Sequence, residues 1–314
     1  MPDLEVRETG PRRWIAIRNH GSSGHFAAIV TVVIWAGSFL AIHDGVEVVS
    51  SLELAGARFG IVAAFAMAWL AVGPGPLPGM RHAPRIMACG LLGIAAYNAL
   101  LGWGEERVGA ATAGFVIAGQ TVAARCLERS GPTGRLDPSL LLSSVLLLAG
   151  LAVMGLGQPK PSYIAGLAFC LFASGASGAY LVLQRPLVCE FGAVTSAAST
   201  MTVAAAFLVP CMPEGFAGMA NSTGLFWSVA YLSLVAGVVA YCFWMRAIDR
   251  LGAVSASRWL LLMAPLAALF DWTRTPSNFQ WPVLVGGVFC LFACLPSISR
   301  RRSRPDPHPH DLAR

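Results

Sequence analysis

Seven long stretches of this chain contain no Asp, Glu, Lys or Arg: Phe26 to Ile42, Ile86 to Gly104, Ser139 to Gly157, Tyr163 to Gln184, Phe191 to Pro213, Gly224 to Met245 and Gln280 to Ser297. An α-helix needs about 17 to 25 apolar residues to cross roughly 30 Å of hydrocarbon, and each stretch reaches that length. Three further segments are less clean. Ala55 to Val72 carries Arg58, Val108 to Ala124 is short, and Gly252 to Phe270 carries Arg258. Transmembrane strands would alternate polar and apolar residues over about ten positions, whereas these runs are apolar on every side. The expected fold is therefore an all-α integral membrane protein with ten transmembrane helices. Only 12% of the residues are charged and mean hydropathy is +0.64, against about 25% charged in soluble domains. That excludes a soluble enzyme, a secreted disulfide scaffold and a disordered chain. The 33 glycines suit helices that approach closely in lipid.

The basic residues orient the ten spans. With both termini in the cytoplasm of the cell (plasma or inner) membrane, only Arg107, Lys160 and Arg274 fall outside, and the other arginines of the tails and loops lie inside, as the positive-inside rule requires. The tail Arg300-Arg301-Arg302 reads as a stop signal after a span, so the net charge of +6 needs no nucleic-acid partner. No small-residue cleavage site follows Ile42, so the first run is expected to stay as a span. The cysteines within the apolar runs lack metal-ligand company. Cys290 and Cys294 have helical spacing but no nearby His or second pair, so no metal or cofactor is expected.

Sliding the chain along itself by 143 residues lays EERVGAATA (Glu105 to Ala113) on IDRLGAVSA (Ile248 to Ala256), with four of nine positions identical. The same offset carries Phe26 to Ile42 onto Phe169 to Arg185 without a gap. The chain reads as a duplication of five spans. An odd number of spans makes the second copy enter the membrane from the opposite face, and inverted repeats of this kind typify secondary transporters. The expected organisation is a tail over 1–25, repeats over 26–157 and 158–298, and a basic tail over 299–314.

Arg58 and Arg258 stand in otherwise apolar runs, where a guanidinium costs at least about 2.5 to 3.5 kcal/mol at mid-helix. Arg58 either binds an anionic group of a solute or pairs with Glu53 or Glu47; Arg258, next to Trp259, holds a carboxylate or phosphate or contacts a bundle aromatic. Trp35, Tyr97, Asn98, Gln120, Tyr180, Tyr241 and Trp244 also lie at depth and are candidates to line a cavity, or to serve as interhelical bonds and interfacial anchors. Pro265 is expected to break the ninth span near its middle. No Asp or Glu falls inside a run, so no buried proton carrier can be named. The chain has no phosphate-binding loop, which argues against self-contained ATP-driven pumping, and no GxSxG, HExxH or paired buried carboxylates, so no enzyme is expected and a membrane enzyme ranks third among the readings.

VVIWAGSFLAIH (Val32 to His43), ELAGARFGIVAAF (Glu53 to Phe65) and VAYCFWMRAIDRLGAVSASRWLLLMAPLAAL (Val239 to Leu269) together resemble the EamA family of the drug/metabolite transporter superfamily. The likeness covers about residues 26 to 298. It places the Arg-Phe pair of the second helix on Arg58 and Phe59, and the small-residue turn and proline of the ninth on Leu251-Gly252-Ala253 and Pro265. It implies a permease that moves a small organic solute, an exporter of amino acids or related metabolites, across the lipid bilayer by alternating access, coupled to a proton or sodium gradient and compatible with a homodimer. The segments 123–138 and 271–281 depart from the family's pattern, which has a proline and a Gly-Glu pair there. They motivate a second expectation, a non-transporting membrane protein acting as an assembly partner or sensor.

Overall fold

The computed structural model describes residues 21–73, 75–129, 138–251, 256 and 258–299, and among them every regular element is helical. In chain order these are α1 (Gly21–Val46), α2 (Ser51–Val72), α3 (Met80–Ile117), α4 (Gln120–Arg129), α5 (Pro138–Gly157), α6 (Pro161–Phe191), α7 (Ala193–Asn221), α8 (Thr223–Ile248), α9 (Met263–Arg274) and α10 (Trp281–Ser299). Seven of them, α1, α2, α3, α5, α6, α7 and α8, are long and apolar enough to cross a membrane, and Trp281–Leu295 in α10 is a shorter apolar helix.

The expected count of ten is not reached by length and hydropathy alone, for identifiable reasons. The third and fourth expected spans run together in the 38-residue α3, because Glu105, Glu106 and Arg107 are helical and form no loop. The break comes later, at Gly109, whose φ of 80° and ψ of 165° no other residue type adopts readily. Residues 252–255 and 257 of the ninth expected span lie outside the described residues. There Pro265 occupies the first turn of α9, just after the 3-10 turn Trp259–Leu262, and so does not interrupt a helix at its middle. A proline in a first turn removes an N–H that has no intrahelical partner anyway. A proline that does stand inside a helix is Pro186, in α6. Of the two atypical segments, the first is helical through Arg129, with 130–137 outside the described residues; the second holds the end of α9 and a 3-10 turn at Pro276–Asn278.

Local signals explain several boundaries. Ser50 and Glu53 form a capping box at the start of α2, with Glu53 Oε2 accepting from the Ser50 N–H at 2.8 Å. Gly192, at φ 79°, separates α6 from α7. Two π-helical stretches, Leu91–Ala96 in α3 and Tyr231–Val239 in α8, fall at matching places under the 143-residue offset. Such stretches are rare and cluster at functional sites.

The offset pairs α1 with α6, α2 with α7, α3 with α8, α4 with α9 and α5 with α10. The packing follows that pairing. α1 lies on α8 as α6 lies on α3, α4 lies on α6 as α9 lies on α1, and α2 meets α7 as α5 meets α10. The α5–α10 contact depends on two glycines, since a Cβ on Gly150 would stand 2.6 Å from the Gly286 carbonyl oxygen. The outer surface is apolar: Leu141, Leu142, Val145 and Leu148 on α5, Phe172 on α6 and Trp227 on α8 are exposed, while Thr31, Thr200, Ser233 and Glu105 are buried. This reverses the soluble pattern and suits a lipid surround. Ion pairs gather at the two ends. Arg274 meets Asp44 at 2.7 Å at one end, and Arg81 and His82 meet Glu190 at 2.8 and 3.1 Å at the other.

Candidate functional site

A column of polar and aromatic groups runs between the halves, built on α1, α2 and α3 from one side and α6, α8 and α9 from the other. Its centre is Arg58 on α2, which donates through Nη1 to Asn98 Oδ1 on α3 at 3.0 Å. Asn98 is oriented by its own Nδ2, which donates to the Ile94 carbonyl in the π-helical stretch at 2.8 Å. Arg58 does not pair with Glu53 or Glu47 as the sequence allowed. Glu53 is spent on the α2 cap, and Glu47 lies 3.8 Å from His43. Among the described residues Arg58 has no carboxylate within ion-pairing distance, and its Nε is buried without a partner. Tyr97, Tyr241 and Glu105 are the ionisable groups around it.

Aromatic side chains from the second half close on this centre. Trp35 on α1 packs against Tyr241 and Trp244 on α8, with ring centroids 5.5 and 5.6 Å apart. The Trp35 indole N–H donates to the Ala236 carbonyl at 3.1 Å, a group within the second π-helical stretch, and Ser233 of that stretch donates to the Arg58 carbonyl at 3.2 Å. Tyr180 on α6 sits against Gly93 and beside Thr200 and Gln184, in reach of Tyr241. The cavity at Arg58, lined by Ile42, Ser51, Leu54, Ala55, Asn98 and Leu232, has a volume of only about 10 Å³, hardly the room one water molecule needs. Pockets that hold organic ligands measure roughly 300–1,000 Å³, so the column is closed in this form and helices must part to admit a solute.

The structure brings Arg58, Asn98, Trp35, Tyr180, Tyr241 and Trp244 into this one column. Gln120 accepts a hydrogen bond from Ser177, one turn before Tyr180 on α6, at the edge of an apolar groove between α4, α5 and α6. Arg258 lies elsewhere. It opens the 3-10 turn whose Trp259 ring stands 5.6 Å from His25, near the start of α1, whereas His43 near its end contacts Glu105. Those 18 residues of α1 span roughly 27 Å, so the turn that carries Arg258 lies toward the opposite end of α1 from Glu105, where Trp259 packs in one cluster with Trp244.

Two acidic residues correct the expectation that no carboxylate is embedded. Glu105 is 0% exposed, and neither of its carboxylate oxygens has a hydrogen-bond partner. Asp271 on α9 is 7% exposed; its Oδ2 accepts from the Ala111 N–H at 3.3 Å and its Oδ1 from Asn278 at 3.1 Å. The break at Gly109 leaves the first N–H groups of the following helical arm without partners, and Asp271 caps them from another helix. Glu105 was missed because it sits in the sequence Glu-Glu-Arg, which reads as a charged loop. The available signal was its spacing: Asn98, Gly102 and Glu105 fall on one helical face, while Glu106 and Arg107 pair with each other at 2.8 Å on the exposed face.

An α-helical, multi-pass membrane protein with matched halves around a closed polar column belongs to the transporters. The chain is a member of the EamA-like transporter family, whose model matches it twice, over residues 22–156 and 164–298. Residue 22 of the first match thus answers to residue 164 of the second, one residue short of the 143-residue offset. Among curated relatives, the probable terminal-alkyne amino-acid exporter of Streptantibioticus cattleyicolor is 30% identical over 91% of this chain and 98% of its own length. The uncharacterized transporter YdfC of Bacillus subtilis is 25% identical over 81% of this chain and 84% of its own. A solved crystal structure superposes with a TM-score of 0.55 at 18% identity, covering 91% of this chain and 99% of that one, and shows the shared fold.

Proposed function

We propose that this transporter exports amino acids or closely related metabolites by alternating access between two inverted five-helix repeats, ten spans in all, with both termini in the cytoplasm and an ion gradient as the energy source. The observation that carries the reading is the column itself: a cation, Arg58, positioned by Asn98, and an unpaired carboxylate, Glu105, seven residues farther along α3. A zwitterion presents the two complementary charges. A guanidinium that no carboxylate neutralises is suited to a solute carboxylate, and Trp35, Tyr241 and Trp244 offer flat apolar walls to a side chain. The relative named for amino-acid export, similar along nearly its whole length, supports the same solute class.

The test is counterflow of labelled amino acids into vesicles containing the purified protein, wild type beside Arg58→Ala. Saturable uptake is expected, with the half-saturating concentration raised roughly 10- to 150-fold by the substitution, the equivalent of one charge-assisted hydrogen bond of about 1.5–3 kcal/mol. No saturable uptake of any amino acid, with or without a proton or sodium gradient, would refute it and favour a non-transporting assembly role.

A further inference from the structure

Three carboxylates stand near one another at the Gly109 end of the column, and two of them are engaged. Asp44 is paired with Arg274 at 2.7 Å, and Asp271 caps the arm that follows Gly109. The third, Glu105, has no donor on either oxygen and no contact with solvent. The groups that face it are His43 and Asp44 from α1, Arg58 from α2, Tyr97 from its own helix, Cys170 from α6 and Asp271 from α9. None of these supplies a bond. His43 Nδ1 donates to the Glu105 backbone carbonyl at 3.2 Å, and Arg58 Nη1 is engaged by Asn98. The two neighbouring carboxylates oppose a further negative charge. A bare carboxylate in such a place is far too costly, so the closed, empty column must hold Glu105 in its neutral form.

Resting on the proposed export of zwitterions, we infer that Glu105 is an exchange site at which a proton and the solute's ammonium group alternate. In the empty column Glu105 carries the proton. When the column opens to the cytoplasm and a zwitterion enters, its carboxylate goes to Arg58 and its ammonium replaces the proton, which passes from the carboxyl O–H to water as hydronium. When the column opens outward and the solute leaves, the carboxylate takes a proton from outside water. One proton then enters for each solute exported, and charge at Glu105 is balanced in every closed state.

The experiment has two readouts on the purified full-length chain. The first is the infrared carbonyl band of a protonated carboxylic acid, recorded on the solute-free protein as wild type minus Glu105→Gln. The band is expected in the difference spectrum and is expected again in Glu105→Asp, a second variant that keeps the acid if the glutamine variant folds poorly. The second is acidification of a weakly buffered solution on adding the twenty standard amino acids, with their N-acetylated forms as the control without an ammonium. Release approaching one proton per chain is expected from wild type, none with the N-acetylated forms and none from Glu105→Gln. A missing band, or acidification unchanged in Glu105→Gln, overturns the inference; so does a band without any acidification. Failure of the transport reading is told apart by vesicle flux, because the band is read on the resting protein and persists whether or not flux is found.

Discussion

Arg58 and Asn98 form the pair on which the proposed recognition rests, and in that proposal the type of cation matters as much as its charge. Arg58 reaches Asn98 with one guanidinium nitrogen, leaving the others for a planar, bidentate partner, which a lysine ammonium cannot match. Arg58→Lys is therefore expected to preserve folding but to weaken amino-acid counterflow by about tenfold or more; equal affinity in the two proteins would remove Arg58 from the site. Trp35→Phe tests a different link. It keeps the aromatic wall but deletes the indole donor to Ala236, a bond between halves worth about 0.6 kcal/mol on the average found in membranes. A small fall in thermal stability in detergent with flux largely retained is the expected result, and lost flux at full stability would move Trp35 from wall to ligand.

At the scale of elements, the break at Gly109 does the most to shape the site. Its positive φ ends one helical arm and starts the next, so that Glu105 lies a turn before the break and the Ala111 N–H, just after it, donates to Asp271 Oδ2. Space is not the constraint, because a Cβ on Gly109 would meet nothing within 4 Å. Gly109→Ala should then destabilise the protein by roughly 1–3 kcal/mol through backbone conformation alone, visible as a lower melting temperature in detergent. Asp271→Ala removes the cap from the second arm and should cost about 0.5–2 kcal/mol. If both substitutions leave the melting temperature unchanged, the break is not a structural joint. The repeat offset was legible in the chain, and the paired π-helical stretches at Leu91–Ala96 and Tyr231–Val239 were not. What packs on them, Tyr180 against Gly93 in the first and the Trp35 indole N–H on the Ala236 carbonyl in the second, comes from the opposite half, and single-sequence patterns carry no record of that.

For the whole molecule, the principal prediction is the orientation. The two ends are chemically distinct, with Arg274 paired to Asp44 at one and Arg81 and His82 to Glu190 at the other. In intact cells, a membrane-impermeant thiol reagent is expected to modify Lys160→Cys from outside and to leave Arg81→Cys unmodified until the cells are opened, in a background lacking the exposed Cys189 and Cys242. The reverse pattern would invert the proposed topology and with it the direction assigned to export. What the sequence determined by itself was the class and its plan: charge-free runs too long for anything but membrane helices, a duplication of about 143 residues, and Arg58 as a cation that must face the interior. Those follow from transfer energies that depend on residue type and run length alone. The tertiary structure alone decided that Glu105 is buried and unpaired, that Asp271 caps a helix far away in sequence, that the turn carrying Arg258 lies by the His25 end of α1, and that Pro265 opens a helix instead of breaking one. Burial and partnership belong to pairs of helices brought together by packing, so a residue's own type and neighbours in the chain do not specify them.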